Sequence, residues 1–170
     1  MEDFQVREAH YKDVPEIMNI INVTAENLTK KSMYFVNTKD FIEKHIEENG
    51  FSLVAMSKER IAGYLVVRFP KLEPDNLGKH VKENIDLNKV VHMESTAVLP
   101  EFRNKGIQKL LLVEAEKKLE KTEYCYYMGT VDPENEYSLR TLKGRDYNII
   151  DTADKYGGLK RNIMYKEIVK

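Results

Sequence analysis

Residues Val90 to Lys121 constrain the fold more than any other stretch, because a strand, a basic turn and a long helix follow one another directly. Val90 to Val98 is apolar and β-rich, and Leu99-Pro100 ends it. Gly106 to Lys121 is the clearest helix in the chain. Leu111, Ala115 and Leu119 recur at every fourth position beside Ile107 and Leu112, with Glu114 and Lys118 spaced as a pair on the wet side. Between strand and helix lies Glu101-Phe102-Arg103-Asn104-Lys105-Gly106-Ile107-Gln108. The first amides of a helix have no acceptor inside it, and its dipole is positive at that end. Arg103 and Lys105 add charge, and Gly106 lets backbone come close, so the turn suits a diphosphate.

The remaining elements alternate in a mixed order, which predicts an α/β (α+β) domain spanning residues 1–170. A strand is expected at Phe4 to Glu8, then helices at Val14 to Val23 and Lys39 to Glu48. Asp13 and Glu16 have capping-box spacing, and Pro15 suits a first turn. Phe51 to Met56 and Ile61 to Phe69 form a hairpin about Ser57 to Arg60. Pro70 to Lys89 is a long polar connection, either a functional loop or a surface excursion. Tyr124 to Val131 is a strand in which Cys125 is expected to be buried, and Asn135 to Lys143 is a helix. Asn148 to Asp154 and Arg161 to Ile168 make a terminal hairpin around Tyr156-Gly157-Gly158.

Composition excludes several functions. The 27 basic residues nearly balance 28 acidic ones, so nucleic acid is not expected as a partner. No stretch has the apolar length of a membrane span, and Met1-Glu2-Asp3-Phe4-Gln5 lacks a signal-peptide pattern. With Cys125 the only cysteine, a cytoplasmic location is expected. His10, His45, His80 and His92 are not paired at ligand spacing, so no metal is expected. His92 and Glu94 lie two apart on one strand, and their side chains share a face, with Met93, Ser95 and Ala97 on the other. The pair either moves a proton or is a satisfied polar pair bonded to the long connection.

The segment Val98-Leu99-Pro100-Glu101-Phe102-Arg103, followed by Asn104-Lys105-Gly106-Ile107-Gln108, resembles motif A of the GNAT superfamily of N-acetyltransferases. Gln108 stands where the family has a small residue, and Asn135-Glu136-Tyr137-Ser138 resembles a second family segment. The resemblance extends over nearly the whole chain. It implies a mixed, mostly antiparallel sheet of about seven strands with flanking helices and a splayed central parallel pair. It implies acetyl-CoA as acyl donor, held by Thr96, Ala97 and Val98, by the loop Arg103 to Gln108, and by Asn135 and Ser138. It implies transfer of acetyl to a primary amine of a small molecule or peptide in a ternary complex, by a monomer or homodimer. His92 or Glu94 would be the general base. Leu142 stands where the family often has the tyrosine that protonates the leaving thiolate, which leaves Tyr137, Tyr147 or water for that task. The acceptor pocket is expected from Leu28 to Thr38, Pro70 to Lys89 and the terminal hairpin, with Tyr34, Phe35 and Tyr156 as an apolar wall. A CoA-binding module without catalysis and a transferase for longer acyl groups are the alternatives.

Overall fold

Seven strands form one sheet in the computed structural model, which describes residues 2–170. β1 (Phe4–Glu8), β2 (Gly50–Ser57), β3 (Arg60–Arg68) and β4 (Val90–Val98) pair antiparallel in sequence order. β5 (Tyr126–Val131) lies parallel to β4, and β7 (Leu159–Glu167) separates β5 from β6 (Asn148–Lys155). The order is therefore β1-β2-β3-β4-β5-β7-β6. Nearly every residue of β2 and β3 is buried, as expected for interior strands covered on both faces.

Two local irregularities shape the middle of this sheet. Val66 faces Ser95 and Val67 faces Met93, so Glu94 is the extra residue of a β-bulge in β4. β4 and β5 pair only through Val90, Val91 and His92 against Tyr126, Tyr127 and Met128. Beyond that point β5 keeps β7 and β4 keeps β3, and the parallel strands part into a wedge.

Four helices cover the sheet: α1 (Val14–Glu26), α2 (Lys39–Glu47), α3 (Ile107–Leu119) and α4 (Glu136–Lys143). Ile17, Ile20 and Ile21 of α1, Ile42 and Ile46 of α2, and Ile107, Leu111, Ala115 and Leu119 of α3 enter one core with Val54, Tyr64, Val66 and Val91. A smaller cluster is built from Leu77, Val90, Met128 and Ile163, with Val81, Ile85 and Leu87 packed against it. The β3–β4 connection thus covers sheet surface with its own apolar residues and is not a polar excursion.

Several local expectations are corrected. Asp13 precedes α1 without capping it through its side chain. Its carboxylate instead takes a bidentate pair from Arg7 at 2.7 and 2.9 Å and the His10 amide at 2.8 Å. Glu16 reaches across to the Ile61 amide. Lys118 pairs with Glu8 and Glu114 with Lys117, because β1 presents a carboxylate that no local spacing rule can see. Cys125 lies one residue before β5 and is only partly buried, its carbonyl accepting from Ile168.

Candidate active site

The turn after β4 is shaped by two residues in the left-handed region, Asn104 at φ 60° and Gly106 at φ 76°. Residues Arg103 to Gly106 are exposed, while Ile107 behind them is buried and anchors the start of α3. The first α3 amide with a main-chain acceptor is Leu110, which donates to Gly106 O at 3.0 Å. Among the described residues, the amides of Lys105 to Lys109 meet no acceptor, and a Cβ on Gly106 would meet no atom within 4 Å. This is an open row of donors at a helix start, the arrangement that binds phosphate oxygens. The side chains are less free than the sequence implied. Arg103 donates back to Val98 O at 3.3 Å, and Lys105 pairs with Glu2 at 2.5 Å.

A groove runs from this turn along Thr96, Ala97 and Val98 and is closed by Thr24, Leu28, Asn135, Tyr137 and Ser138. From Met93 onward β4 has β3 on one edge and, among the described residues, no strand on the other, so amides on the open edge can receive a ligand. Asn135 caps α4, its Oδ1 accepting from Ser138 N at 3.1 Å. The Gln108 side chain lies against α4, where Nε2 donates to Ser138 Oγ at 3.2 Å. It thereby ties α3 to α4 and leaves its own amide facing the turn. The groove, the free amides and the open strand edge fit the diphosphate and extended arm of CoA.

A second cavity shares the walls Met33, Tyr34, Thr96, Gln108, Asn135 and Ser138 with the groove and continues past the bulge. Glu94 opens into it with a side chain 12% exposed. His92, 3% exposed, does not border it. Its Nε2 accepts the Leu77 amide at 3.0 Å, and its Nδ1 lies 3.1 Å from Glu94 Oε2. A nitrogen that accepts an N–H carries no proton, so Nδ1 holds the ring proton and donates it to Glu94. Both ring nitrogens are engaged inside the protein, which removes His92 as acceptor for a substrate proton. Arg68 Nη1 stands 3.7 Å from the same Glu94 oxygen and is held by Asp75 and Glu73. Burial pushes the Glu94 carboxyl up, but the His92 hydrogen bond and the Arg68 charge outweigh it and hold it below the ordinary glutamate value. Arg68 escaped the sequence reading, although a lone charge ending the apolar run Ile61 to Phe69 was a signal.

The tyrosines separate by position. Tyr147 is 1% exposed, borders neither cavity, and its hydroxyl has no hydrogen-bond partner among the described residues. Burial, with the Glu116 charge beside it, pushes this phenol well above its ordinary range, so Tyr147 belongs to the core. Tyr137 is 44% exposed at the groove wall, and Leu142 lines the second cavity without a hydroxyl. Tyr34 borders both cavities, and its hydroxyl lies 2.5 Å from that of Tyr64, which meets Ser95 Oγ at 2.9 Å. Phe35 and Tyr156 stack at 4.6 Å over the second cavity, and Arg161 below them pairs with Asp132 at 3.2 Å.

Comparison with known proteins agrees with this geometry. The sequence profile of the acetyltransferase (GNAT) family matches residues 14–147. An N-alpha-acetyltransferase of Saccharolobus solfataricus is 32% identical over 123 residues, which span 72% of this chain and 65% of that protein. The ribosomal-protein-S18-alanine N-acetyltransferase of Escherichia coli superposes with a TM-score of 0.74 at 14% identity, covering 99% of this chain and 96% of that one. The structure of yncA from Salmonella typhimurium with its cofactor acetyl-CoA superposes with a TM-score of 0.71 at 17% identity, covering 96% and 93%. With a matching fold and a family profile over most of its length, the chain belongs to the acetyltransferase (GNAT) family.

Proposed function

We propose that this protein is an N-acetyltransferase that moves the acetyl group of acetyl-CoA onto a primary amine, with Glu94 as the general base. The observation that carries the reading is the bulge at Glu94. It sets a buried, ionised carboxylate in a cavity that shares six wall residues with the donor groove. When bound, acetyl-CoA supplies an activated thioester. The amides of Lys105 to Lys109 would bind its diphosphate, and the open edge of β4 at Thr96 to Val98 its extended arm. Free strand amides beside the thioester carbonyl would stabilise the oxyanion that forms there. Glu94 takes the proton from the incoming ammonium, directly or through one water, and the freed amine attacks. The thiolate takes its proton from Tyr137 or water, since Leu142 and the core residue Tyr147 can supply none at this site.

An amine is the acceptor, and the resemblance to an N-alpha-acetyltransferase favours the α-amine of a polypeptide. The wall of Phe35 and Tyr156 suits an apolar first side chain. The test is thiol release from acetyl-CoA with unblocked peptides, the same peptides blocked at the α-amine, and small amines. Glu94→Gln is expected to lower turnover by about 10²–10⁴-fold with CoA affinity unchanged. Normal turnover in that variant would remove Glu94 as the base. Thiol release with none of the amines, despite tight CoA binding, would favour a binding module.

A further inference from the structure

The connection between β3 and β4, residues 69–89, is organised around one side chain. Asn76 is buried, and its Nδ2 donates to Lys71 O at 2.5 Å and Leu87 O at 3.1 Å. Its Oδ1 accepts from Gly78 N at 2.8 Å. One amide side chain thus ties both ends of the connection to its middle. Gly78 fits because a Cβ there would meet Leu87 at 2.7 Å and Val90 at 2.8 Å. Leu77, between Asn76 and Gly78, is buried in the smaller apolar cluster. Its amide is therefore fixed in space, and it is the one that donates to His92 Nε2. The same connection supplies Asp75 and Glu73, which hold Arg68 at 2.7 and 2.5 Å.

We propose that this connection is a positioning element for catalysis. The Leu77 amide fixes the tautomer of His92, and the His92 Nδ1–H fixes the orientation of the Glu94 carboxylate toward the acceptor cavity. The inference rests on the reading of Glu94 as the base. His92 and Leu77 are positioning residues, since neither borders the cavity. If the Leu77 amide is lost, Nε2 loses its donor and the ring is free to turn its proton away from Glu94. The charged and titratable groups facing Glu94 are His92 on its own strand, Arg68 of β3 and Asp75 of the connection, with Tyr156 of the β6–β7 turn and His45 of α2 coupled to it by charge. Arg68 and Asp75 take no part in the Leu77–His92 bond, so a change in Glu94 on cutting that bond reports on the link.

Leu77→Pro removes the N–H alone from the backbone. Leu77 opens a 3₁₀ turn, a position that accepts proline, and Asn76 has the extended ψ of 118° that a residue before proline requires. Leu77→Ala is the control, because it shortens the side chain and keeps the amide. His92→Leu removes both ring contacts, and His92→Gln offers one acceptor and one donor in their place. Glu94 is followed by ¹³C NMR of protein labelled at the glutamate carboxyl carbon and assigned with Glu94→Gln. Turnover is followed with acetyl-CoA and an unblocked peptide.

Leu77→Pro and His92→Leu are expected to move the Glu94 titration up, because the burial that raises it stays while the hydrogen bond that lowers it goes. Both should lower turnover by about 10- to 100-fold, the scale of a misplaced catalytic group. Leu77→Ala and His92→Gln should keep a near-normal titration. Wild-type titration and turnover in a folded, CoA-binding Leu77→Pro protein would overturn the inference. If Leu77→Pro does not fold, equal changes in His92→Gln and His92→Leu would overturn it, since only the shape of the ring would then matter. Normal turnover of Glu94→Gln sinks the base assignment by itself, whatever the titrations show.

Discussion

At His92 both ring nitrogens are engaged inside the protein, which is why Glu94, two residues along the strand, is the one proposed to accept the proton. Regular alternation puts the two side chains on one face opposite Met93, Ser95 and Ala97, but the bulge at Glu94 breaks it, so that Ser95 and Ala97 share the side of His92 and Met93 takes the other. The sequence could not show which of His92 and Glu94 is free, because the deciding donor is an amide fifteen positions earlier in an irregular connection. Gly106 is the opposite case, legible from a few neighbouring residues. Its φ of 76° disfavours any Cβ, while the space around it is open. Gly106→Val should therefore cost only about 1–2 kcal/mol of stability, the price of the left-handed backbone, yet weaken CoA binding by far more than that. Gly106→Asn should fall between, since Asn tolerates this region. Thermal denaturation and CoA titration of the same samples separate the two effects. Tyr147→Phe removes a buried hydroxyl that has no hydrogen-bond partner among the described residues. Turnover should be unchanged and the melting temperature unchanged or higher, and a loss of turnover would restore Tyr147 to the mechanism.

The elements themselves were largely legible, because apolar spacing reports local structure. α3, β4 and the terminal hairpin fall within a few residues of their expected ends. What failed was any feature whose partner comes from another element: the pair between Lys118 and Glu8, the use of Asp13, and the bulge at Glu94. Asp13 carries a consequence for stability. Its hydrogen bonds from Arg7, and then the His10 amide, hold its carboxyl below the ordinary aspartate value despite burial. A group depressed in this way stabilises the fold fully above its unfolded value, near pH 3.9, and loses that contribution as pH falls through its folded value. Asp13→Asn should then cost about 1–3 kcal/mol at neutral pH. The gap to wild type should close below about pH 3.9, which urea denaturation as a function of pH would measure.

For the whole molecule, the element order and the family resemblance of the helix-start turn named the fold. Of the segments expected to wall an acceptor pocket, the α1–α2 segment with Tyr34 and Phe35 and the last hairpin with Tyr156 line the second cavity, whereas Pro70 to Lys89 do not. The walls of that cavity come from the α1–α2 segment, the bulge, α4 and the last hairpin, which only the folded chain brings together. If the donor groove is the CoA site, acetyl-CoA at a hundred times its Kd adds about 2.7 kcal/mol to folding. That corresponds to a rise of roughly 5–10 °C in the melting temperature of a chain this size, and no rise would remove the reading of the groove.

Among the described residues, three residue pairs between β4 and β5, with the Cys125 amide donating to Lys89 O at 3.1 Å just before them, join the two halves of the sheet edge to edge. A ladder that thin is a seam: its own residues, Val90, Val91, Tyr127 and Met128, are fully buried, while the inner edges of both strands beyond it carry no strand partner among the described residues. A ligand arm lying in the wedge would lengthen the ladder as a strand does, so donor binding would lock the two halves as well as fill a site. In native-state hydrogen exchange the amides of Val90 to Val98 and Tyr126 to Val131 should then become more protected with acetyl-CoA than those of β1 and β2, far from the seam. Substrate would here be a temporary part of the hydrogen-bonded frame, present in each cycle only until its product leaves.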